Sequence, residues 1–323
     1  MVSLKFRGLV AALAVVLFTP SGQVQAYPDK PIRLVVGFPP GGSTDLAARA
    51  LAEKLRVSFD QAVIVENRPG ASGNIAAELV ARADPDGYTL LLAASSFAAA
   101  PAFFQKLSWN PVTDFSPVAL VATVPNIVVV HPSVPATTPS ELADWSRANP
   151  GKINLASPGA TTLTGLAGEM FKETAGLDWA TVHYRGGAPA VVDLLGGMVE
   201  VMFANISDVF QHVKLGRLNA LAVTTPARSA VVPDVPTLAE SGYPDFAFAT
   251  WQAVVGPAGM SEEIVERLNA EIVKHMSTEE LQQRFLSFGT DAATSTPAEL
   301  EQLLVEEAIK IARIARKVGI TPK

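Results

Sequence analysis

The residues best suited to chemistry in this 323-residue chain form two short phrases of glycine and hydroxyl side chains. Pro40-Gly41-Gly42-Ser43-Thr44 follows the apolar run 32–37 (IRLVVG), and Pro158-Gly159-Ala160-Thr161-Thr162 follows 153–156 (INLA). In both, a strand-like run leads through a glycine-bearing turn into an amphipathic helix pattern. Free backbone N–H groups and the positive end of a helix then meet at one point, which makes an anion site. One such loop says little. Two, in separate halves of a chain, suggest two helix ends facing one small anion across a cleft.

The first loop, 38–45 (FPPGGSTD), offers Phe38, Gly41, Gly42, Ser43 and Asp45 as ligand residues. Adjacent glycines let the backbone approach a ligand closely, and the hydroxyls add donors. A plainer reading makes Ser43 or Thr44 an N-cap and Asp45 a first-turn partner of the helix dipole. That leaves two prolines and two glycines unaccounted for, so binding is favoured. The second loop, 157–164 (SPGATTLT), offers Ser157, Gly159, Thr161 and Thr162, with capped helix as the same alternative. Ser96 and Asn205 follow strand-like runs, where α/β sheets place ligand groups. Arg185 could grip a carboxylate or pair with Asp193; the pairing is slightly favoured. Trp251 either lines the cleft or packs beside it.

Catalytic patterns are sparse. His131, His183, His212 and His275 form no pair at metal-binding spacing. The residues around Ser72 lack the second spaced glycine of a hydrolase elbow, and neither Pro-Gly loop carries a Walker lysine or fits G-x-G-x-x-G. With no cysteine there is no disulfide, thiolate metal site or thiol nucleophile. The expectation is a non-enzyme with no catalytic residue, metal or cofactor.

Lys5 and Arg7 precede an apolar run at 9–18, and Val24-Gln25-Ala26 offers a small-residue cleavage site. Residues 1–26 therefore read as a secretory signal peptide cut after Ala26, which exports the chain. The remainder holds 23 basic residues, once Lys5 and Arg7 are taken from the 25, against 31 acidic ones. It contains no basic block, so nucleic acid is not an expected partner. An acidic protein that binds an anion must use local donors.

At 49% hydrophobic and 17% charged residues, the chain is globular and long enough for two domains. Strand-like and helix-like segments alternate along it, which predicts parallel sheets covered by helices. Helix patterns fall at 44–59, 74–82, 161–174 and 207–215, with a capping box opening another at Thr138. A looser stretch runs from 95 to 117, and a short helix is expected near 237–241. From 261 onward the chain reads as helical, with caps at Ser261, Ser277 and Thr296. Pro125 should break a strand and hand the chain to a second domain, and a strand near 250 should bring it back. The expected fold class is α/β: two doubly wound domains joined by a two-crossing hinge with the cleft between. Domain 1 would be 27–124 plus 250–323, and domain 2 would be 125–249.

The phrases at 38–49 (FPPGGSTDLAAR), 66–77 (ENRPGASGNIAA), 84–91 (DPDGYTLL), 156–159 (ASPG), 184–197 (YRGGAPAVVDLLGG), 221–229 (LAVTTPARS) and 233–242 (PDVPTLAESG) carry a resemblance. The chain resembles the Bug/TctC periplasmic solute receptors of tripartite tricarboxylate transporters over nearly its whole length. That resemblance implies a hinged, monomeric receptor of periplasmic-binding-protein type II fold that delivers a small carboxylate to membrane permease subunits. It also implies a carboxylate gripped by Gly41, Gly42 and Ser43 and by Thr161 and Thr162, partly through water. Many relatives have His at 165, Asp at 204 and Asn near 100, where this chain has Gly165, Ala204 and Ala100. The missing acid at 204 leans the ligand away from amino acids, towards a dicarboxylate or aromatic acid. A sensor for a membrane kinase is an alternative, and a secreted hydrolase a more distant one.

Overall fold

The computed structural model describes residues 27–229, 231–244, 246, 248–317 and 322. The expected leader, 1–26, lies outside them. The first half opens with β1 (Ile32–Val36), α1 (Ser43–Phe59), β2 (Val63–Asn67), α2 (Asn74–Ala81) and β3 (Thr89–Ala94). Next come α3 (Ser96–Phe103) and the long β4 (Phe115–Val130). The second half holds α4 (Pro139–Ala148), β5 (Asn154–Ser157), α5 (Leu163–Ala175), β6 (Ala180–His183), α6 (Gly187–Leu195), β7 (Val201–Asn205), α7 (Ile206–Lys214) and β8 (Asn219–Val223). The chain ends through β9 (Ala249–Pro257), α8 (Glu262–Met276), α9 (Glu279–Ser287), β10 (Asp291–Ala292) and α10 (Pro297–Lys317).

The fold is α/β, but its sheet is mixed. Strand order is β2-β1-β3-β9-β4-β7-β5-β6, with β8 and β10 also on β4. β1 lies parallel to β2 and β3, and β5 lies parallel to β6 and β7. β4 and β9 run against their neighbours, because each arrives from the other half of the molecule.

β4 corrects the expectation at Pro125. The strand runs through that proline without a break: its first part pairs with β9 as far as Pro125 opposite Ala249. From Asn126 onward it pairs with β7 and β8 instead. Proline sits where the strand changes partners, so its missing N–H costs the ladder little.

Apolar faces account for the rest. Leu51, Leu55, Leu268, Ile272 and Phe285 of α1, α8 and α9 pack on one face of the first half. Phe97, Leu300 and Leu304 of α3 and α10 pack on the other. Further along α10, Ile311 joins the core of the second half with Phe171 and Phe203. The two expected crossings are thus joined by a third, since α10 packs on both halves.

Smaller departures have local causes. The loose stretch after residue 95 contains α3, hidden by Pro101 and a run of alanines without a polar face. Residues 238–242 form a turn, closed where Thr237 N–H donates to Glu240 and Glu240 N–H donates to Thr237 Oγ1. Thr278, not Ser277, caps α9.

Candidate functional site

A cleft opens where the C-terminal ends of β1, β3 and β7 meet the start of β9. Phe38, Gly42, Ser43, Ser96, Thr162 and Asn205 line it, six of the eleven residues expected at the site. The helix starts of α1 and α5 face each other across it, one from each half.

At the first loop the N-cap is Gly42, in extended backbone and without a side-chain cap. Neither Ser43 nor Thr44 is therefore a cap; both lie inside the first turn. Gly41 has φ of 85°, a left-handed conformation that glycine adopts without strain. Its N–H donates to Asp45 Oδ2 at 2.9 Å, and the same carboxylate accepts from Arg49 and from Asn67 Nδ2. Burial pushes Asp45 up, but Arg49, the Gly41 N–H and Asn67 outweigh it and hold the carboxyl below its ordinary value. Asp45 is 2% exposed and stands behind the loop, bracing it, outside the cleft lining.

The second loop is capped as the plainer reading expected. Thr162 is the N-cap of α5 and accepts from the Gly165 N–H at 3.1 Å. Ser157 Oγ donates to the Gly159 carbonyl at 2.9 Å, so Ser157 and Gly159 shape the turn from below. Gly159 also lies against Ser72 of the opposite half, where a Cβ would meet Ser72 Oγ at 2.7 Å. Thr161 is buried beside the lining and not in it. Among the described residues, no protein group accepts from the amides of Thr44, Leu163 and Thr164, and all three residues line the cleft. Two helix starts with unspent N–H groups make a neutral, rigid receiver for negative charge.

Asn205 ties the base of the cleft together. Its Nδ2 donates to Ser43 Oγ at 3.0 Å across the two halves, and its Oδ1 accepts from Asn126 and from Thr250 at 2.8 Å each. Ser96 donates to the Ser72 carbonyl at 2.9 Å and holds the neighbouring loop. Arg185 stays outside the lining, and Asp193 accepts from Tyr184 Oη instead.

Asp208 was not foreseen. It sits in the first turn of α7, and its Oδ1 accepts the Ser43 N–H at 3.0 Å. Burial pushes its carboxyl up to about 6 against the opposing pull of that N–H and of Asn205. The residue keeps some exposed surface, so the desolvation is that of a cleft and not of a dry core. In sequence a first-turn acid looks like any dipole partner. Only the position just beyond a strand end marked the neighbourhood. Gln252, also missed, lines the cleft with its Oε1 buried and unpartnered.

Opposed helix starts with hydroxyl and amide linings are the mark of a protein that holds a small solute. More particularly, the chain belongs to the TctC family, the tripartite tricarboxylate transporter family receptors, whose model matches residues 47–320. These are periplasmic solute-binding receptors of the Bug type. Protein BugT of Bordetella pertussis is 36% identical over 295 residues, 91% of this chain and 90% of that protein. The structure of the periplasmic binding protein BugD superposes with a TM-score of 0.88 at 34% identity, over 92% of this chain and 100% of that one. Rpa4515 of R. palustris, solved with adipate, gives 0.89 at 31% identity, over 92% and 100%.

Proposed function

We propose that this protein captures a small carboxylate between the starts of α1 and α5 and delivers it to the membrane subunits of a tripartite tricarboxylate-type transporter, without catalysis. The observation that carries this reading is the pair of opposed helix starts with unspent amides at Thr44, Leu163 and Thr164. Each charge-assisted bond to a carboxylate is worth about 1.5–3 kcal/mol. Several such bonds, together with burial of the ligand in the cleft, reach about −8 kcal/mol, that of a micromolar complex, after ordering costs. The adipate bound by Rpa4515 supports the ligand class.

The domains are 27–124 with 250–323, and 125–249, moving about the β4–β9 crossing as a monomer, after removal of residues 1–26. A catalytic role is disfavoured by the position of the Ser58–His275 contact, at 2.6 Å, near the far end of α1 from the cleft. A thermal-shift screen of residues 27–323 against mono-, di- and tricarboxylates, amino acids and aromatic acids tests the reading. Selective stabilisation should vanish in Gly42→Val, where a Cβ meets only the Pro39 carbonyl at 3.8 Å, so the loop tolerates it while the cleft is filled. Thr162→Val should weaken it. Stabilisation by no carboxylate, or undiminished binding in Gly42→Val, would sink the proposal.

A further inference from the structure

Asp208 is the one ionisable side chain lining the cleft among the described residues. Its Oδ1 is held on the Ser43 N–H, and its Oδ2 lies against Gly187, where a Cβ would collide with it. No lysine, arginine or histidine shares that lining to balance it. Beside it lies an acceptor that is unspent: Gln252, 2% exposed, keeps Oε1 buried without a donor.

The cleft therefore presents two complementary sets of groups. The amides of Thr44, Leu163 and Thr164 suit a carboxylate. Asp208, held by the Ser43 N–H, has no cation beside it in the lining, and Gln252 Oε1 lacks a donor. A ligand that is only a carboxylate satisfies the first set and brings like charge towards Asp208 in a partly desolvated space. A ligand carrying an ammonium or hydroxyl group beside its carboxylate satisfies both.

We propose that Asp208 is a specificity-determining residue that selects carboxylates bearing an adjacent hydrogen-bond donor over plain acids of the same length. The inference rests on the carboxylate-receptor reading and narrows it. It also replaces the preference drawn from Ala204, because the acid absent at 204, on β7, is supplied four residues on, from the first turn of α7. The raised carboxyl of Asp208 agrees: with no cation in the lining its charge is poorly compensated, and a ligand donor would complete it.

The test is calorimetric titration of residues 27–323 with matched acids: succinate, malate and aspartate, then adipate and 2-aminoadipate. In the better-bound series, the donor-bearing acid should bind at least tenfold more tightly than its plain partner. Asp208→Asn, which keeps an oxygen for the Ser43 N–H, should shrink that ratio at least fivefold, chiefly by tightening the plain acid. Equal binding of plain and donor-bearing acids overturns the inference, as does an unchanged ratio in Asp208→Asn. The wild-type ranking decides the matter even if that variant folds poorly. Carboxylates that bind without such ranking remove only this inference; no carboxylate binding at all removes the receptor reading with it.

Discussion

Replacing Asp208 with Asn should stabilise the empty protein above pH 6, although it removes a group that accepts a hydrogen bond. The carboxyl is raised from 3.8 to about 6 by burial. Each pKa unit is about 1.4 kcal/mol, so the charged form costs the folded state at most about 3 kcal/mol. Because part of the residue meets solvent, about 2 kcal/mol is the working figure. The sign follows from proton uptake. Between pH 6 and 4 the folded state binds a proton that the unfolded chain does not, so wild-type stability gains as pH falls through that window. Asp208→Asn cannot titrate there, and its Oδ1 still accepts from Ser43. The variant should therefore exceed wild type by about 2 kcal/mol at pH 8, with the gap closing towards pH 4. Guanidinium denaturation of both proteins from pH 8 to 4.5, with m-values compared to confirm like transitions, measures it. A gap that does not change with pH, or a wild type more stable at pH 8, refutes the reasoning.

Two other predictions concern the loops themselves. In Gly165→Ala the new Cβ would meet Ser157 Oγ at 2.6 Å and the Gly159 carbonyl at 2.7 Å. The second loop must then shift, costing about 1–3 kcal/mol in denaturation and at least tenfold in carboxylate affinity by titration. Asp45 lies below its ordinary value, so its contribution is present at neutral pH and lost as pH falls below about 4. Asp45→Asn should lower stability at pH 7 by about 1 kcal/mol or more and flatten the acid limb of the stability profile; an unchanged acid limb would assign that sensitivity to other carboxylates.

Both Pro-Gly phrases marked the helix starts correctly because local order alone, strand then glycine then helix, sets where free amides point. The roles within them divided on features that sequence does not carry. Thr162 caps its helix while Ser43 does not, since in the first loop Gly42 already holds the extended backbone of the cap position. Asp45 and Asp208 are both first-turn acids, yet one braces its own loop and the other crosses to a loop 165 residues away. Such long-range contacts leave no periodic trace. Pro125 located the partner change in β4 but suggested a break, because propensity speaks of a lost N–H and not of whether a neighbour needs it. α3 stayed hidden because Ala98, Ala99 and Ala100 give no contrast between faces.

The place of β9 sets the order in which the molecule can be assembled. It is made after the whole of the second half, yet it lies between β3 and β4, flanked by strands completed long before it. Until the chain reaches Pro257, β3 and the first part of β4 have bare edges, which are open to pairing with other chains. The second half has no such debt: β5 to β8 and the end of β4 are contiguous in sequence. It can therefore close first, and the half that begins at the N-terminus is completed last. A chain interrupted before Ala249 would present a second half whose strands are paired, short of its α10 contact at Ile311, joined to an unfinished sheet, and aggregation should begin at β3 and β4.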